Sequence, residues 1–339
     1  MRNTKYFIIV LIAVFAIACN QDSKINPPYT VVFYNVENLF DTINNPNKFD
    51  EEFTPDSHRE WNTERYFKKL DDLSKVIYSI DSINLPVLVG VSEVENDIVL
   101  NDLVSQELLR KANYQIVWEE GDDFRGIDCA LLFNPAVFTL NFYKYIPVLC
   151  PVEPEFVTRD ILYVEGNMHN ELFHIFVMHW PSRRGGADVS EPKRVLAASV
   201  LRRKIDEVFN EFENPNIIIM GDMNDEPSNM SLSDVLMALP NTMTPENDDL
   251  VNLMYADYKK GKGTYNFRGE WDMIDNIIVS GYLINKTEGL KSTLNNAYVF
   301  HQPFMEYVND RGEMSPNRTY GRTYFGGISD HFPVYMILE

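Results

Sequence analysis

Cysteine is scarce in this chain: Cys19, Cys129 and Cys150 are the only three in 339 residues. Three thiols cannot build a disulfide framework, which excludes a small cross-linked scaffold. Basic charge is short as well. Thirty Lys and Arg stand against fifty Asp and Glu, a formal net charge of −20. That balance argues against a protein that grips polyanions through a broad basic face, and it suits divalent cations, which acidic sites attract. Internal repeats, long low-complexity segments and composition breaks are absent, so nothing marks a second domain. At 45% hydrophobic and 24% charged residues the chain has enough apolar content for a sizeable core, and global disorder is excluded.

The N-terminus carries an export pattern. Arg2 and Lys5 precede an apolar run from Tyr6 to Ala18, followed by Cys19 and polar Asn20. The run is too short and one-sided for a transmembrane helix. Ala16-Ile17-Ala18-Cys19 resembles the lipobox of bacterial lipoproteins, with Ala16 where leucine is commonest. The expected organisation is a signal peptide over residues 1–18, a lipidated Cys19 with a polar tether to residue 28, and a single catalytic domain over residues 29–339. The expected location is the bacterial envelope, on the periplasmic side or the cell surface, with Cys19 as membrane anchor. A monomer is expected.

The chain is organised around Ile217-Ile218-Ile219-Met220-Gly221-Asp222-Met223-Asn224-Asp225-Glu226-Pro227. The apolar run is that of a strand buried on both faces. Gly221 is expected to let the backbone turn, and Pro227 stops the strand. In an extended segment residues two apart point the same way, so Asp222 and Asn224 should project together from the strand end.

Other stretches repeat that theme. Tyr29 to Phe40 reads as a strand with Asn35 and Glu37 on one face. A polar loop follows to Arg65, then a helix from about Thr63 to Ile83. Leu85 to Glu95 is a buried strand ending in Glu93 and Glu95, and Asn96 caps a helix expected to reach Ala112. Strands are expected over residues 114–118, 137–146 and 159–164. Arg125 and Asp128 enter an otherwise apolar strand, where a charge needs a partner or a task. Glu171 to Trp180 is a strand with His179 at its end, followed by the basic loop Arg183-Arg184-Gly185-Gly186, whose guanidinium groups suit phosphate oxygens. Helices are expected from about Glu191 to Glu213 and over Ser228 to Leu239. Asp275 opens an apolar strand, and Asp330-His331 sit just before the last one.

Asn35, Glu93, His179, Asp222, Asn224, Asp275, Asp330 and His331 thus all lie near strand ends. Oxygen ligands without cysteine suit a hard cation such as Mg²⁺. Histidines and an asparagine remain to handle protons and phosphate oxygens. Bottom-up, this is a metal-assisted hydrolase of phosphate esters.

The order and context of these motifs, YNVENLF, SEVEN, the His179 strand, GDMND, WDMIDNIIVS and SDHFP, resemble the endonuclease/exonuclease/phosphatase superfamily. It includes deoxyribonuclease I, abasic-site endonucleases, neutral sphingomyelinases and inositol polyphosphate 5-phosphatases. The resemblance implies an α/β fold, a four-layer sandwich of two packed mixed β-sheets flanked by helices. It implies that Glu93, with Asn35 and Asp330, holds Mg²⁺ (or Mn²⁺). It further implies that His331, oriented by Asp275, activates water or stabilises the pentacovalent phosphorus, with Asp222 as a partner in that role. Asn224 and His179 would hold phosphate oxygens. Arg125, Asp128, Arg183 and Arg184 would face substrate. A nucleic-acid phosphodiester is the favoured substrate. The alternatives are a lipid or small-molecule phosphoesterase and an inactive surface binding protein.

Overall fold

The structure, a computed structural model, describes residues 25–339. The expected signal peptide, Cys19 and the first part of the tether lie outside the described residues. The first strands are β1 (Tyr29–Leu39), β2 (Leu88–Val94), β3 (Gln115–Val117) and β4 (Asp128–Phe133). β5 (Phe138–Ile146), β6 (Ile161–Met168), β7 (Glu171–His179) and β8 (Asn216–Asp222) follow. Then come β9 (Ala238–Pro240), β10 (Leu250–Asn252), a hairpin of β11 (Tyr265–Phe267) and β12 (Glu270–Asp272), and β13 (Asp275–Ser280). β14 (Ala297–Val299), a second hairpin of β15 (Glu306–Val308) and β16 (Met314–Pro316), and β17 (Val334–Leu338) complete the order. The three longest helices are α1 (Thr63–Ile80), α2 (Asp97–Val104) and α3 (Ala187–Glu211).

Two mixed sheets result. One runs β14-β17-β1-β2-β4-β3 and the other β5-β6-β7-β8-β13-β10-β9. The β1–β2 and β7–β8 pairs are parallel, while most neighbours are antiparallel. Side chains alternate across each strand, and that alternation sorts the core into three layers. Val31 and Phe33 of β1 join Ile218 and Met220 of β8 between the sheets. Val32 and Tyr34 face the other way, onto Leu70, Leu73 and Ile77 of α1. Ile217 and Ile219 pack onto Leu201, Ile205 and Val208 of α3. Helix, sheet, sheet, helix is the four-layer sandwich expected. Among the described residues no helix is long and apolar enough to cross a membrane.

Two helices differ from expectation. α2 stops at Val104 rather than near Ala112: the Gln106 amide bonds to the Leu103 carbonyl at 3.2 Å, a tight i−3 link that ends the helix. Asn96 does cap it, accepting from the Val99 amide at 2.9 Å. Ser228 to Leu239 is not one helix. A single wide turn over Ser231–Val235 closes with Leu236 N bonded to Ser231 O, and Met237, at φ 57°, sends the chain into β9.

Gly221 has a different purpose from the one expected. It lies inside β8 and not in a left-handed turn. A Cβ there would collide with the Met178 backbone carbonyl and side chain on β7. Glycine is therefore required for close approach of the two parallel strands next to Asp222. Gly221→Ala should cost about 1–3 kcal/mol by overpacking, read as a lower urea midpoint at unchanged slope. Wild-type stability in the variant would refute the close-approach reading.

Candidate active site

Strand register builds one half of the site. β7, β8 and β13 are adjacent, with His179 paired to Asp222 and Asp222 paired to Asp275. Two carboxylates directly opposed on neighbouring strands repel, so nothing in sheet stability selects them. The other half comes from the facing sheet. β1 and β2 align Asn35 with Ser92, and both strands lose regular register just beyond. Glu37 and Glu93 sit at φ 50° and 64°, a left-handed backbone that costs a non-glycine residue about 1–3 kcal/mol and clusters at functional sites. These bulges turn Glu93 toward the row on the opposite sheet.

The halves meet. Asn35 Nδ2 donates to Asp222 Oδ2 at 3.0 Å and to Glu93 Oε1 at 3.3 Å. The Asn38 amide donates to Glu93 Oε2 at 2.9 Å. His179 Nε2 stands 3.5 Å from Asp222 Oδ2 and 3.9 Å from Glu93 Oε1. The loop before β17 adds Asp330 and His331. His331 Nδ1 lies 2.7 Å from Asp275 Oδ2, while its Nε2 is 3.8 Å from Asp222 Oδ2 and 3.9 Å from Asp330 Oδ1. Ser329 steers that loop, its hydroxyl donating to the Asn35 carbonyl at 2.7 Å and accepting from the His331 amide at 3.1 Å.

Burial and mutual charge tune these groups. Burial works against a charge on His331, yet Asp275 and Asp222 outweigh it and hold its pKa well above that of free imidazole. His179 moves the opposite way: burial first, then Arg159, Arg125 and His331, keep it neutral. Burial pushes Asp222 up to about 7, against the pull of His331 and with the push of Asp275.

Asn224 departs from the extended geometry expected of it. β8 ends at Asp222, Asn224 turns to φ 50°, and its amide N donates to Asp222 Oδ1 at 2.9 Å. Its side-chain Nδ2 donates to the Trp180 carbonyl at 3.0 Å. The two side chains therefore share the site without sharing a strand face.

Asp222, Asp275 and His331 offer three ligand atoms within 4.8 Å of one another and could hold a metal ion. Glu93 and Asp330 bring further carboxylates beside it, each 3.9 Å from an imidazole of the cluster, His179 Nε2 and His331 Nε2 respectively. A divalent cation fits this donor set, because oxygen ligands converge with few cations between them and Asp275 Oδ1 is buried without a hydrogen-bond partner. The 2.7 Å contact to Asp275 already occupies His331 Nδ1, so the Asp275–His331 pair also has the geometry of an acid–base dyad.

The expected substrate-facing residues scatter more. Arg184 is exposed, whereas Arg183 donates to the Asn224 carbonyl at 2.7 Å and pairs with Asp272 at 3.3 Å. Arg125 contacts Asp123 at 3.4 Å and lines a groove that includes Pro181 and Ser182, just past the His179 strand end. Asp128 is buried, accepts from the Gly121 amide at 3.2 Å, and is held up to about 7, chiefly by burial. Glu95 is likewise buried and accepts from the Asp41 amide at 2.7 Å, which leaves Glu93 as the glutamate in the cluster.

Three residues, Arg159, Arg318 and Lys69, escaped the sequence reading, and Glu37 was read only as sharing a strand face with Asn35. Arg159, buried, donates to the carbonyls of His179 and Trp180 at 3.2 and 2.6 Å and pairs with Asp123 at 3.2 Å, fixing the strand end. Glu37 accepts from the Thr319 and Tyr320 amides and from Arg318. Arg318 also meets Asp330 at 3.1 Å. Lys69 of α1 donates to Thr319 Oγ1 and the Ile328 carbonyl at 2.6 and 2.8 Å. The one signal available was Glu37, a carboxylate two residues from Asn35 in a buried strand.

Residues 30–339 match the family model described as Endonuclease/Exonuclease/phosphatase family. No curated protein matches the chain. Among solved structures, it is similar to D. rerio TDP2 complexed with single strand DNA product, at 12% identity and TM-score 0.57, covering 93% of this chain and 100% of that one. A mannosyl-6-phosphatase of Bacteroides thetaiotaomicron is similar at 16% identity and TM-score 0.56, covering 92% and 99%. The human Nocturnin catalytic domain is similar at 15% and 0.53, covering 93% and 96%. At such identities these likenesses establish the fold.

Asp128 generates a prediction from its placement. Its folded pKa lies above the ordinary value of 3.8, so the folded state binds the proton more tightly. Its contribution is fully present below pH 3.8 and is lost as pH rises through about 7. Asp128→Asn should therefore flatten the decline of urea stability between pH 4 and 7 while leaving KM for phosphoesters alone. A raised KM at unchanged stability would return Asp128 to the substrate.

Proposed function

The chain belongs to the endonuclease/exonuclease/phosphatase family and is a phosphoester hydrolase, and from that premise we propose that it cleaves nucleic-acid phosphodiesters with Mg²⁺ or Mn²⁺ as cofactor. Residues 29–339 act as one catalytic domain in this reading. The observation that carries the choice of substrate is a groove of about 530 Å³ just past the His179 strand end, at Pro181 and Ser182, whose walls carry Arg125, Arg159, Arg184 and Lys193 against the carboxylates of Asp123 and Glu153. In a chain of formal charge −20, a cationic groove beside the cluster suits a substrate that continues past its scissile phosphate.

Glu93, with Asn35 and Asp330, would hold the cation, which when bound supplies Lewis-acid polarisation of a phosphate oxygen. Asp222 stands where Asn35, His179 and His331 converge, placed to accept the proton of an attacking water. His331, charged and braced by Asp275, donates to phosphoryl oxygens as negative charge builds on them. His179 and Asn224 orient the phosphate, His179 from the strand end that Arg159 locks. We also propose that residues 1–18 export the chain and that Cys19 carries the lipid anchor, supported by the run from Tyr6 to Cys19. An unmodified Cys19 in the mature protein, seen by mass spectrometry, would refute the anchor.

Activity should vanish in excess chelator. Glu93→Gln should lower kcat roughly 100-fold or more while the unfolding midpoint holds, since the amide keeps the shape and loses the charge. Full turnover in chelator would sink the metal mechanism. Asp275→Asn should lower kcat by about 10²–10⁴-fold through loss of His331 orientation. Purified protein with Mg²⁺ should cleave DNA or RNA in preference to phospholipids and sugar phosphates; the reverse preference would overturn the nuclease reading.

The two arginines of the basic loop should separate. Arg184→Ala is expected to raise KM for nucleic acid with kcat nearly unchanged. Arg183→Ala should lower kcat, because it releases the Asn224 turn. Identical behaviour of the two variants would show that the loop acts as one binding element instead.

A further inference from the structure

The β11–β12 and β15–β16 hairpins enclose a second pocket of about 420 Å³ that Asp330 and Arg318 also line. Tyr265 connects it to the catalytic cluster: it bridges to His331 in the backbone, and their rings lie 5.0 Å apart. Two more arginines enter from the hairpin tips. Arg268 and Gly269 form the two-residue turn of the first hairpin, both with positive φ, 56° and 92°. Such turns favour Asn, Asp or Gly, so an arginine there goes against local preference. In the second hairpin, Asn309 Oδ1 accepts from the Arg311 and Glu313 amides and shapes the tip that carries Arg311.

The charge pattern is unusual for so acidic a chain. Among the described residues the guanidinium groups of Arg268 and Arg311 have no carboxylate partner, and Arg268 lies 5.0 Å over its neighbour Phe267. Glu313, the other carboxylate of the wall, is engaged by Asn309 at 2.7 Å. Tyr307 leaves 56% of its surface exposed. Unpaired guanidinium groups beside an open aromatic face are the elements that hold a phosphate and stack a base.

We propose that this pocket binds one nucleotide flanking the scissile phosphate on a single strand, its phosphate on Arg268 and Arg311 and its base against Tyr307. The pocket has room for one such unit, and a paired base would have to leave its partner to enter. The inference rests on the nuclease reading and deepens it: the strand would run from the Arg184 groove across Asp222 to this pocket.

The test uses the full-length protein with Arg268→Ala/Arg311→Ala and, separately, Tyr307→Ala. A labelled single-stranded oligonucleotide, its duplex and bis(p-nitrophenyl) phosphate serve as probes. Binding of the oligonucleotide is read in excess EDTA by fluorescence anisotropy and cleavage with Mg²⁺. Each variant should raise Kd and KM for the single strand roughly ten-fold with kcat within about two-fold. The double variant should also reduce the salt slope of log K by about 1.4, near 0.7 for each lost phosphate contact. The small diester, too short to reach the pocket, should show kcat/KM within about two-fold of wild type, and the duplex should be cleaved less well than the single strand by wild type. Variants that bind and cleave the single strand like wild type would overturn the pocket and leave the nuclease reading standing. Equal use of duplex would overturn the single-strand assignment. Wild-type protein that hydrolyses the small diester and ignores all nucleic acid would overturn the nuclease reading, and the pocket with it.

Discussion

The register that sets Asp222 directly across from Asp275 on β8 and β13 is the constraint from which the rest of the site follows. Two buried carboxylates at adjacent positions of a sheet repel and are poorly solvated. They persist because each is given a counterweight from another part of the chain. Asp275 takes the imidazole of His331, and Asp222 takes the amide of Asn35 with the two histidines at 3.5 and 3.8 Å. Those counterweights come from β1, β7 and the loop before β17, so the cluster forms only when the two sheets are packed. Catalytic geometry and tertiary packing are therefore one event in this fold.

The loop that delivers Asp330 and His331 is itself held by buried charge. Glu37 lies under it, gripping the Thr319 and Tyr320 amides, and Lys69 reaches from α1 to its far end at Ile328. Burial pushes Glu37 up to about 8 and draws Lys69 down to about 8. Buried ionisable groups of this kind contribute little net stability, because desolvation offsets their attraction. What they supply is placement: removing Glu37 takes the acceptor from the Thr319 and Tyr320 amides, and removing Lys69 cuts the tie between α1 and Thr319 and Ile328. Left-handed Glu37 and Glu93 follow the same economy, since the strain in each is outweighed by contacts that hold only in that conformation.

The sequence made the sandwich legible because its strands are strongly apolar and end in polar residues. Period-two alternation in β1 and β8 maps directly onto the inter-sheet and outer layers. Within the site, Asn35, Glu93, His179, Asp222, Asp275, Asp330 and His331 were readable as polar residues near strand ends, and all seven converge. Geometry at the ends was not readable. Asn224 was placed by period-two reasoning that lapses once the strand stops at Asp222, and Gly221 was assigned a turn when its role is to let β7 approach. Arg159, Lys69 and Arg318 were invisible because each acts on backbone groups or carboxylates distant in sequence. Asp128 showed the opposite limit: a charge in an apolar strand needed a partner or a task, and it found the Gly121 amide.

An acidic protein proposed to act on polyanions raises an electrostatic question. At physiological ionic strength the Debye length is about 8 Å, so remote carboxylates are largely screened from a phosphate at the site. Guanidinium groups within that distance are not. Arg184 lines the groove past the His179 strand end and Arg318 lines the pocket that holds Asp330, and in the proposed reading a strand running through both would meet cations next to its phosphates. The cluster between them is strongly acidic and repels the same phosphates until a divalent cation compensates it. In that reading local cations would position the chain while the metal would decide whether the scissile phosphate can settle, so binding would depend only weakly on metal and turnover strongly.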